Sequence, residues 1–381
     1  NSEVRYVGGC VRKAINNEVI DDIDLATNLI PSEVCEALKQ KEISYYETGI
    51  EHGTITAVID EYIFEITSLR KDVSTDGRRA TVKFSVDWKE DASRRDFTIN
   101  SIYSDLEGNL FDPFNGRKDL ENGSINFIGD PEKRIQEDYL RILRYIRFFS
   151  NYSKHKHQSK VLKIIKKNIE GISNLSSERL MNELKKITSS KGFYKLFSET
   201  QSLELIEIIF PQLKNIQKFK KLNSYASKNL EKIDFIFLMS LLVIDGTDNA
   251  DYFIYKFKIS KKDQKRIKII DLFYREKVNI KSFNNKNLNR IFYFKGKQAV
   301  IDIINFKLFN SINNDKKLIK LINIYKDKIT PILPIKADLL MTKFNIPEGK
   351  TLGTKLKLIE ETWVQNGFQI SDKQIQKIAK S

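Results

Sequence analysis

The rhythm of apolar and polar positions changes once along this chain, and the change divides it. Over residues 1–122 the apolar residues come in short runs broken by turns. Val4–Val7 ends at Gly8-Gly9, and Thr54–Ile59 and Tyr62–Leu69 flank a tight Asp60-Glu61 turn. Alternating or β-branched runs bounded by turn residues predict strands, and here a hairpin. Val11–Asn16 and Ser32–Lys39 read as helices, the second preceded by Pro31 and capped by Ser32. Asp72–Ser85 is polar, with Asp76-Gly77-Arg78-Arg79 in its middle, and reads as a mobile loop. After about residue 130 the apolar period becomes 3.6 residues, so Ile135–Ser150, Val161–Gly171, Glu178–Ser189 and most later segments read as helices. The expected fold class is α+β: a mixed sheet with helices in front and an all-α remainder.

Length and composition narrow this further. With 381 residues, two to three domains are expected. Hydrophobic residues at 41% and charged residues at 30% exclude wholesale disorder. The longest apolar stretch, near Phe235–Ile244, is about half of what a bilayer crossing needs, so no membrane association is expected. Two cysteines, Cys10 and Cys35, cannot build a disulfide scaffold or a structural zinc site. The three histidines, His52, His155 and His157, are too scattered for a His-rich metal site. A reducing compartment, the cytoplasm, is therefore expected. The chain opens at Asn1 and soon enters an apolar strand; no leader pattern is visible, and a missing natural start is expected.

Net charge is +15 but unevenly spread. Residues 1–150 hold 20 Lys/Arg against 28 Asp/Glu, and the remainder carries a net +23. Carboxylate chemistry in front and a polyanion held behind would fit this division. A Lys-rich solvated surface imposed by biased codon usage would also produce it, and Ile, Asn and Lys are abundant.

Three groups of residues could carry chemistry. In the first, Gly8-Gly9-Cys10-Val11-Arg12 is followed by Asp22-Ile23-Asp24-Leu25. A glycine pair after a strand lets backbone approach phosphates, and the next helix aims its N–H groups and Arg12 at them. Asp22 and Asp24, two apart on an extended segment, project from one face as hard oxygen ligands for divalent cations. The second, Arg94-Arg95-Asp96-Phe97-Thr98-Ile99-Asn100, can bind a triphosphate and a ribose hydroxyl while Phe97 and Ile99 anchor the segment. The third is Glu137–Arg147, where helical spacing lines up Asp138, Arg141 and Arg144, with Arg147 close by and Tyr139, Leu140, Leu143 and Ile146 behind. An Asp beside an Arg offers one acceptor and one donor to a base edge. Each group alone also fits a turn, a surface ion pair or a solvated helix face.

Together, in this order, the three resemble the class II tRNA nucleotidyltransferase and bacterial poly(A) polymerase family of the polymerase-β-like superfamily. Asp112-Pro113-Phe114-x-Gly116, Ser177-Glu178-Arg179 and Thr48–Thr54 add to the resemblance, which is dense over residues 4–190 and returns faintly at Pro334–Phe368. Ser101 stands where the family commonly has Ala, and Lys13 where Asp often follows the arginine.

The resemblance implies a polymerase-β-like catalytic head at 1–122, a helical neck at 123–190 with the nucleotide-recognition helix, a helical body at 191–300 and a tRNA-binding tail at 301–381. It implies addition of C, C and A to tRNA from CTP and ATP, by nucleotidyl transfer with two Mg²⁺ ions on Asp22 and Asp24. Glu65 is the candidate third carboxylate, though a solvent-facing strand Glu is an equal reading. Gly8, Gly9, Arg12, Arg95, Asp96 and Asn100 would meet phosphate and ribose. Asp138 and Arg141 would read the base, with Arg144 and Arg147 fixing that pair or reaching the nucleotide. The Asp72–Ser85 segment would be the element that moves when C gives way to A. A poly(A) polymerase, which uses ATP alone, is the alternative; a phosphohydrolase fusion is excluded by the three histidines, and no protein partner is implied.

Overall fold

The computed structural model describes residues 2–75, 80–276 and 283–381. The chain forms two compact units, Asn1–Ile209 and Phe210–Ser381.

The front unit is built on a seven-stranded sheet. Its strands are β1 (Val4–Val7), β2 (Asp24–Thr27), β3 (Ser44–Gly49), β4 (Thr54–Ile59), β5 (Tyr62–Ser68), β8 (Tyr103–Ser104) and β9 (Leu110–Phe111), in the order β3-β4-β5-β2-β1-β8-β9. Only the β2–β5 pair is parallel, and its register sets Asp24 opposite Glu65. Because side chains alternate along a strand, Asp24 and Ala26 share one face, and Glu65 joins them across the ladder. That face also carries the buried cluster of Val7, Ala26, Leu69, Ala92 and Tyr103. The other face buries Ile55 and Ala57 against Val34 and Leu38 of α2.

Helices α1 (Gly9–Ile15), α2 (Pro31–Gln40) and α3 (Trp88–Ser93) flank the sheet. The hairpin and the first strand lie where the apolar pattern puts them. Helix α2 differs in its start: Pro31 is its first residue, and the Ile30 N–H donates to Glu33 Oε2 at 3.0 Å, so Ser32 is not the cap. A proline fits there because its missing N–H has no helical partner to lose. The polar Asp72–Ser85 segment is not a loop throughout. Arg70–Thr75 (β6) and Ala80–Phe84 (β7) pair as an antiparallel ribbon, and residues 76–79 of the expected movable element lie outside the described residues. Backbone pairing needs no apolar side chains, which is why the pattern missed it.

Helices α4 (Gly116–Asn122), α5 (Pro131–Glu137), α6 (Leu140–Tyr152), α7 (Ser159–Asn168) and α8 (Ser177–Thr188) follow. Asp112 accepts N–H bonds from Gly116 and Arg117 at 2.8 and 2.9 Å and so starts α4. Gly116 is required by proximity, since a Cβ there would stand 2.0 Å from the Thr98 carbonyl oxygen. The helix expected over Ile135–Ser150 is broken: Asp138 is extended between α5 and α6.

The rear unit is helical. One core joins Leu288, Phe292, Val300, Ile304, Leu308, Ile322 and Tyr325, and a second joins Leu340, Ile346, Leu352, Ile359 and Ile375. The apolar run at Phe235–Val243 is a helix whose last seven residues are all buried. No helix of the described residues is long and apolar enough to cross a membrane. Arg266 ties three segments by pairing with Asp234 and Asp302 at 2.7 and 2.6 Å.

Gly116→Ala is expected to destabilise the front unit by about 1–3 kcal/mol, because the added methyl meets backbone that cannot rotate away. A chemical-denaturation midpoint equal to the parent's would contradict that close approach.

Candidate active site

The site grows from β1 and β2, whose ends carry the glycine pair and the carboxylates. Gly8 adopts φ +72° between β1 and α1, donates its N–H to the Ile102 carbonyl at 3.2 Å and accepts the Arg12 N–H at 3.0 Å. This left-handed backbone favours glycine and lets α1 begin directly at Gly9. One turn on, Arg12 is buried and donates from Nη1 to the Asn100 side-chain oxygen.

Asp24 lies at the start of β2, with Asp22 two residues before it in chain outside any strand or helix. Its carboxyl is held above the usual carboxylate range, first by burial, then by the charges of Asp22 and Glu65; Arg95 and Lys186 act against this. Three carboxylates that repel one another form a site wanting positive charge. Among the described residues no group of three or more His, Cys, Asp or Glu is drawn into a preformed metal cage. Hard cations such as Mg²⁺ are commonly held by one or two carboxylates plus waters and substrate phosphates, so the donor set fits such an ion.

The Arg94–Asn100 segment is fixed by a carboxylate that the sequence reading passed over. Asp91, 1% exposed, accepts from Arg94 Nε at 2.8 Å, Arg95 Nη2 at 3.4 Å and the Tyr103 hydroxyl at 2.6 Å. Burial opposes its ionisation, but the two arginines and Tyr103 outweigh it and lower its pKa. Its spacing, three and four residues before the arginines on a helical turn, was the available signal. Asp96 is also buried; Oδ1 accepts from the Phe97 N–H at 2.9 Å and Asn100 Nδ2 at 3.0 Å, and Oδ2 from Arg144 Nε at 2.5 Å. Against burial, Arg144 and these donors pull the Asp96 pKa down to about 2. Phe97 anchors the segment among Phe127, Tyr145 and Phe148.

The polar stripe expected on one helix is distributed differently. Asp138, at the break between α5 and α6, accepts from Leu140 N–H at 3.1 Å and Arg179 Nη2 at 2.8 Å. Arg141 Nη1 donates to Glu137 and to the Arg134 carbonyl, both at 2.6 Å. Arg134 in turn bonds Glu137 and the carbonyls of Arg94 and Arg95. Arg147 pairs with buried Glu183. Arg134, Arg179, Glu183, Asp91 and Lys186 were not singled out as site residues by the sequence reading, because their roles come from contacts across 36 to 41 residues or more, Asp91 excepted. Lys13 pairs with Asp21, next in the chain to Asp22.

Two opposite effects on stability are expected. Asp24→Asn removes a carboxylate whose ionised form is disfavoured in the fold, and should raise the melting temperature. Asp96→Asn leaves Arg144 without its charge partner and should cost about 3–5 kcal/mol. Because the folded Asp96 pKa lies below its unfolded value, this stabilisation is complete above about pH 4 and fades as pH falls toward 2. A parent-to-Asp96→Asn difference that is the same at pH 7 and below pH 3 would contradict the assignment.

Residues 4–126 match the family described as "Poly A polymerase head domain", and residues 158–217 one described as "Probable RNA and SrmB-binding site of polymerase A". The human mitochondrial CCA tRNA nucleotidyltransferase 1 is 32% identical over 388 residues, covering 97% of this chain and 85% of its own. The mouse protein of that name is 39% identical over 271 residues; the match spans 69% of this chain and 61% of the mouse protein's length. The Bacillus stearothermophilus CCA-adding enzyme, solved in complex with CTP, superposes with a TM-score of 0.79 at 20% identity, over 100% of this chain and 93% of its own. The chain belongs to the CCA tRNA nucleotidyltransferase family.

Proposed function

We propose that this chain adds C, C and A without a template to the 3′ end of tRNA, using CTP and ATP and releasing pyrophosphate. The observation that carries the reading is the parallel β2–β5 register that aligns Asp24 with Glu65, in the same unit as the arginines of the Arg94–Asn100 segment. In this reading residues 1–122 are the head, 123–190 the neck, 191–300 the body and 301–381 the tail.

Family members of this kind use a divalent metal; Mg²⁺ is our assignment, with Asp22 and Asp24 as ligands and Glu65 as third carboxylate. Bound there, the metal supplies charge neutralisation of the triphosphate and a more acidic attacking hydroxyl. The RNA 3′ hydroxyl gives up its proton to water, its oxygen bonds to the α-phosphorus, the bond from that phosphorus to the oxygen bridging to the β-phosphate breaks, and pyrophosphate carries off the electron pair. Gly8, Gly9, Arg12 and Arg95 receive phosphate oxygens, and Asp96 and Asn100 orient the ribose. Asp138 accepts from the amino group of cytosine or adenine while Arg141 donates to the ring nitrogen. Uracil mismatches both, and each buried group left unpaired costs about 1–3 kcal/mol. Arg179 and Glu137 hold these two readers in place before a base arrives. Arg144 and Arg147 complete the cationic side of the site. The net +23 beyond residue 150 supports tRNA binding through phosphate contacts. Two free cysteines support a reducing compartment, and we assign the cytoplasm, to be checked by cell fractionation against the mitochondrial location in the mammalian relatives' names.

A tRNA transcript lacking its 3′ end, incubated with Mg²⁺, CTP and ATP, is expected to gain two C and one A and then stop. A long A tract from ATP alone would instead establish the poly(A) polymerase. Asp138→Ala with Arg141→Ala should cut discrimination against UTP by about tenfold or more in single-nucleotide incorporation. Raising salt from about 50 to 200 mM should weaken tRNA binding at least tenfold, and a flat dependence would argue against phosphate-led binding.

A further inference from the structure

Three guanidiniums of the site surround a single aromatic ring. The Phe148 centroid lies 4.2 Å from the Arg147 guanidinium carbon, 4.8 Å from that of Arg12 and 5.5 Å from that of Arg144. Tyr152 stacks on Phe148 at 6.3 Å and lies 5.3 Å from Arg12, so Arg12 has two rings beside it. Phe148 is 2% exposed and therefore meets no ligand itself.

Among the described residues the ion pairs of this group are one short. Arg144 pairs with Asp96 and Arg147 with Glu183, whereas Arg12 forms no ion pair and donates to the neutral Asn100 amide. Arg12 is 6% exposed, and its buried Nε has no hydrogen-bond partner. Mutual repulsion is felt: the Arg147 pKa is lowered first by burial and then by Arg144 and Arg12, despite Glu183. Something must keep like charges together before an anion arrives. An aromatic face carries the negative lobe of its quadrupole and attracts cations, whereas an aliphatic side chain of similar volume fills the space with no such attraction.

We propose that Phe148 is a positioning residue that holds Arg12, Arg144 and Arg147 together as a receiver for the triphosphate of the incoming nucleotide, the uncompensated Arg12 charge being what the phosphates neutralise. This rests on the nucleotidyl-transfer reading above. It goes beyond that reading by assigning to a buried apolar residue an electrostatic contribution to nucleotide affinity.

The test uses the full chain with Phe148 replaced by mono-, di- and trifluorophenylalanine, which withdraw electron density from the ring face at nearly constant size. Binding of CTP and ATP is measured by equilibrium dialysis, with KM and kcat from single-nucleotide incorporation. Dissociation constants and KM for both nucleotides are expected to climb stepwise with fluorination, by about tenfold at the end of the series. Expected alongside are a kcat within twofold of the parent and near-parent affinity in Phe148→Tyr. Flat dissociation constants across the series would overturn the proposal, as would a fall in kcat and melting temperature with affinity unchanged. A parent chain that binds nucleotide and adds CCA while the series stays flat removes only Phe148's role. A parent that binds neither CTP nor ATP removes the functional reading and this inference together.

Discussion

Cationic side chains gathered to meet a polyphosphate repel one another until the substrate arrives, and each buried charge needs a partner of its own. The front unit meets this constraint with carboxylates drawn both from the same helical turns and from distant parts of the chain. Asp91 holds Arg94 and Arg95, Asp96 holds Arg144, Glu137 holds Arg134 and Arg141, Asp138 holds Arg179, and Glu183 holds Arg147. These pairs serve as the frame of the site as well as its neutralisers. They join α3 to the turn after it, that turn to α6, and α6 to α8. Arg12 is the exception, and its place beside Phe148 and Tyr152 follows from that deficit.

The carboxylates on the sheet meet the reverse problem. Asp22, Asp24 and Glu65 lie near enough for their charges to add, and burial raises the Asp24 pKa further. A fold selected for stability alone would not align Asp24 with Glu65 across a parallel ladder. Local electrostatic cost at such a place marks function, since the fold around it must supply the compensation. Here part of it comes from Arg95 and Lys186, and a bound cation would supply the rest.

Much of this was legible in the sequence. Strand β1 with the glycine pair, the Thr54–Ser68 hairpin and the switch to helices near residue 130 follow from periodicity and turn residues, which act over a few neighbours. The Asp22-x-Asp24 pair, the Arg94–Asn100 segment and the Glu137–Arg147 segment were visible as candidates because each gathers its charged residues within a short stretch of chain. The ribbon at Arg70–Phe84 and the break at Asp138 were not visible. Ribbon pairing depends on the backbone groups of two segments meeting, and at the break Asp138 accepts from Arg179, 41 residues away.

The sequence by itself therefore determined the element types, the charge division and the chemical groups available, because propensity, spacing and net charge are local or additive quantities. Only the tertiary structure decided which arginine answers which carboxylate, that Glu65 stands opposite Asp24, and that Phe148 lies among three guanidiniums. Those relations depend on distances between residues far apart in the chain, and in a buried site the strength of a charge or a ring is set by what folding brings beside it.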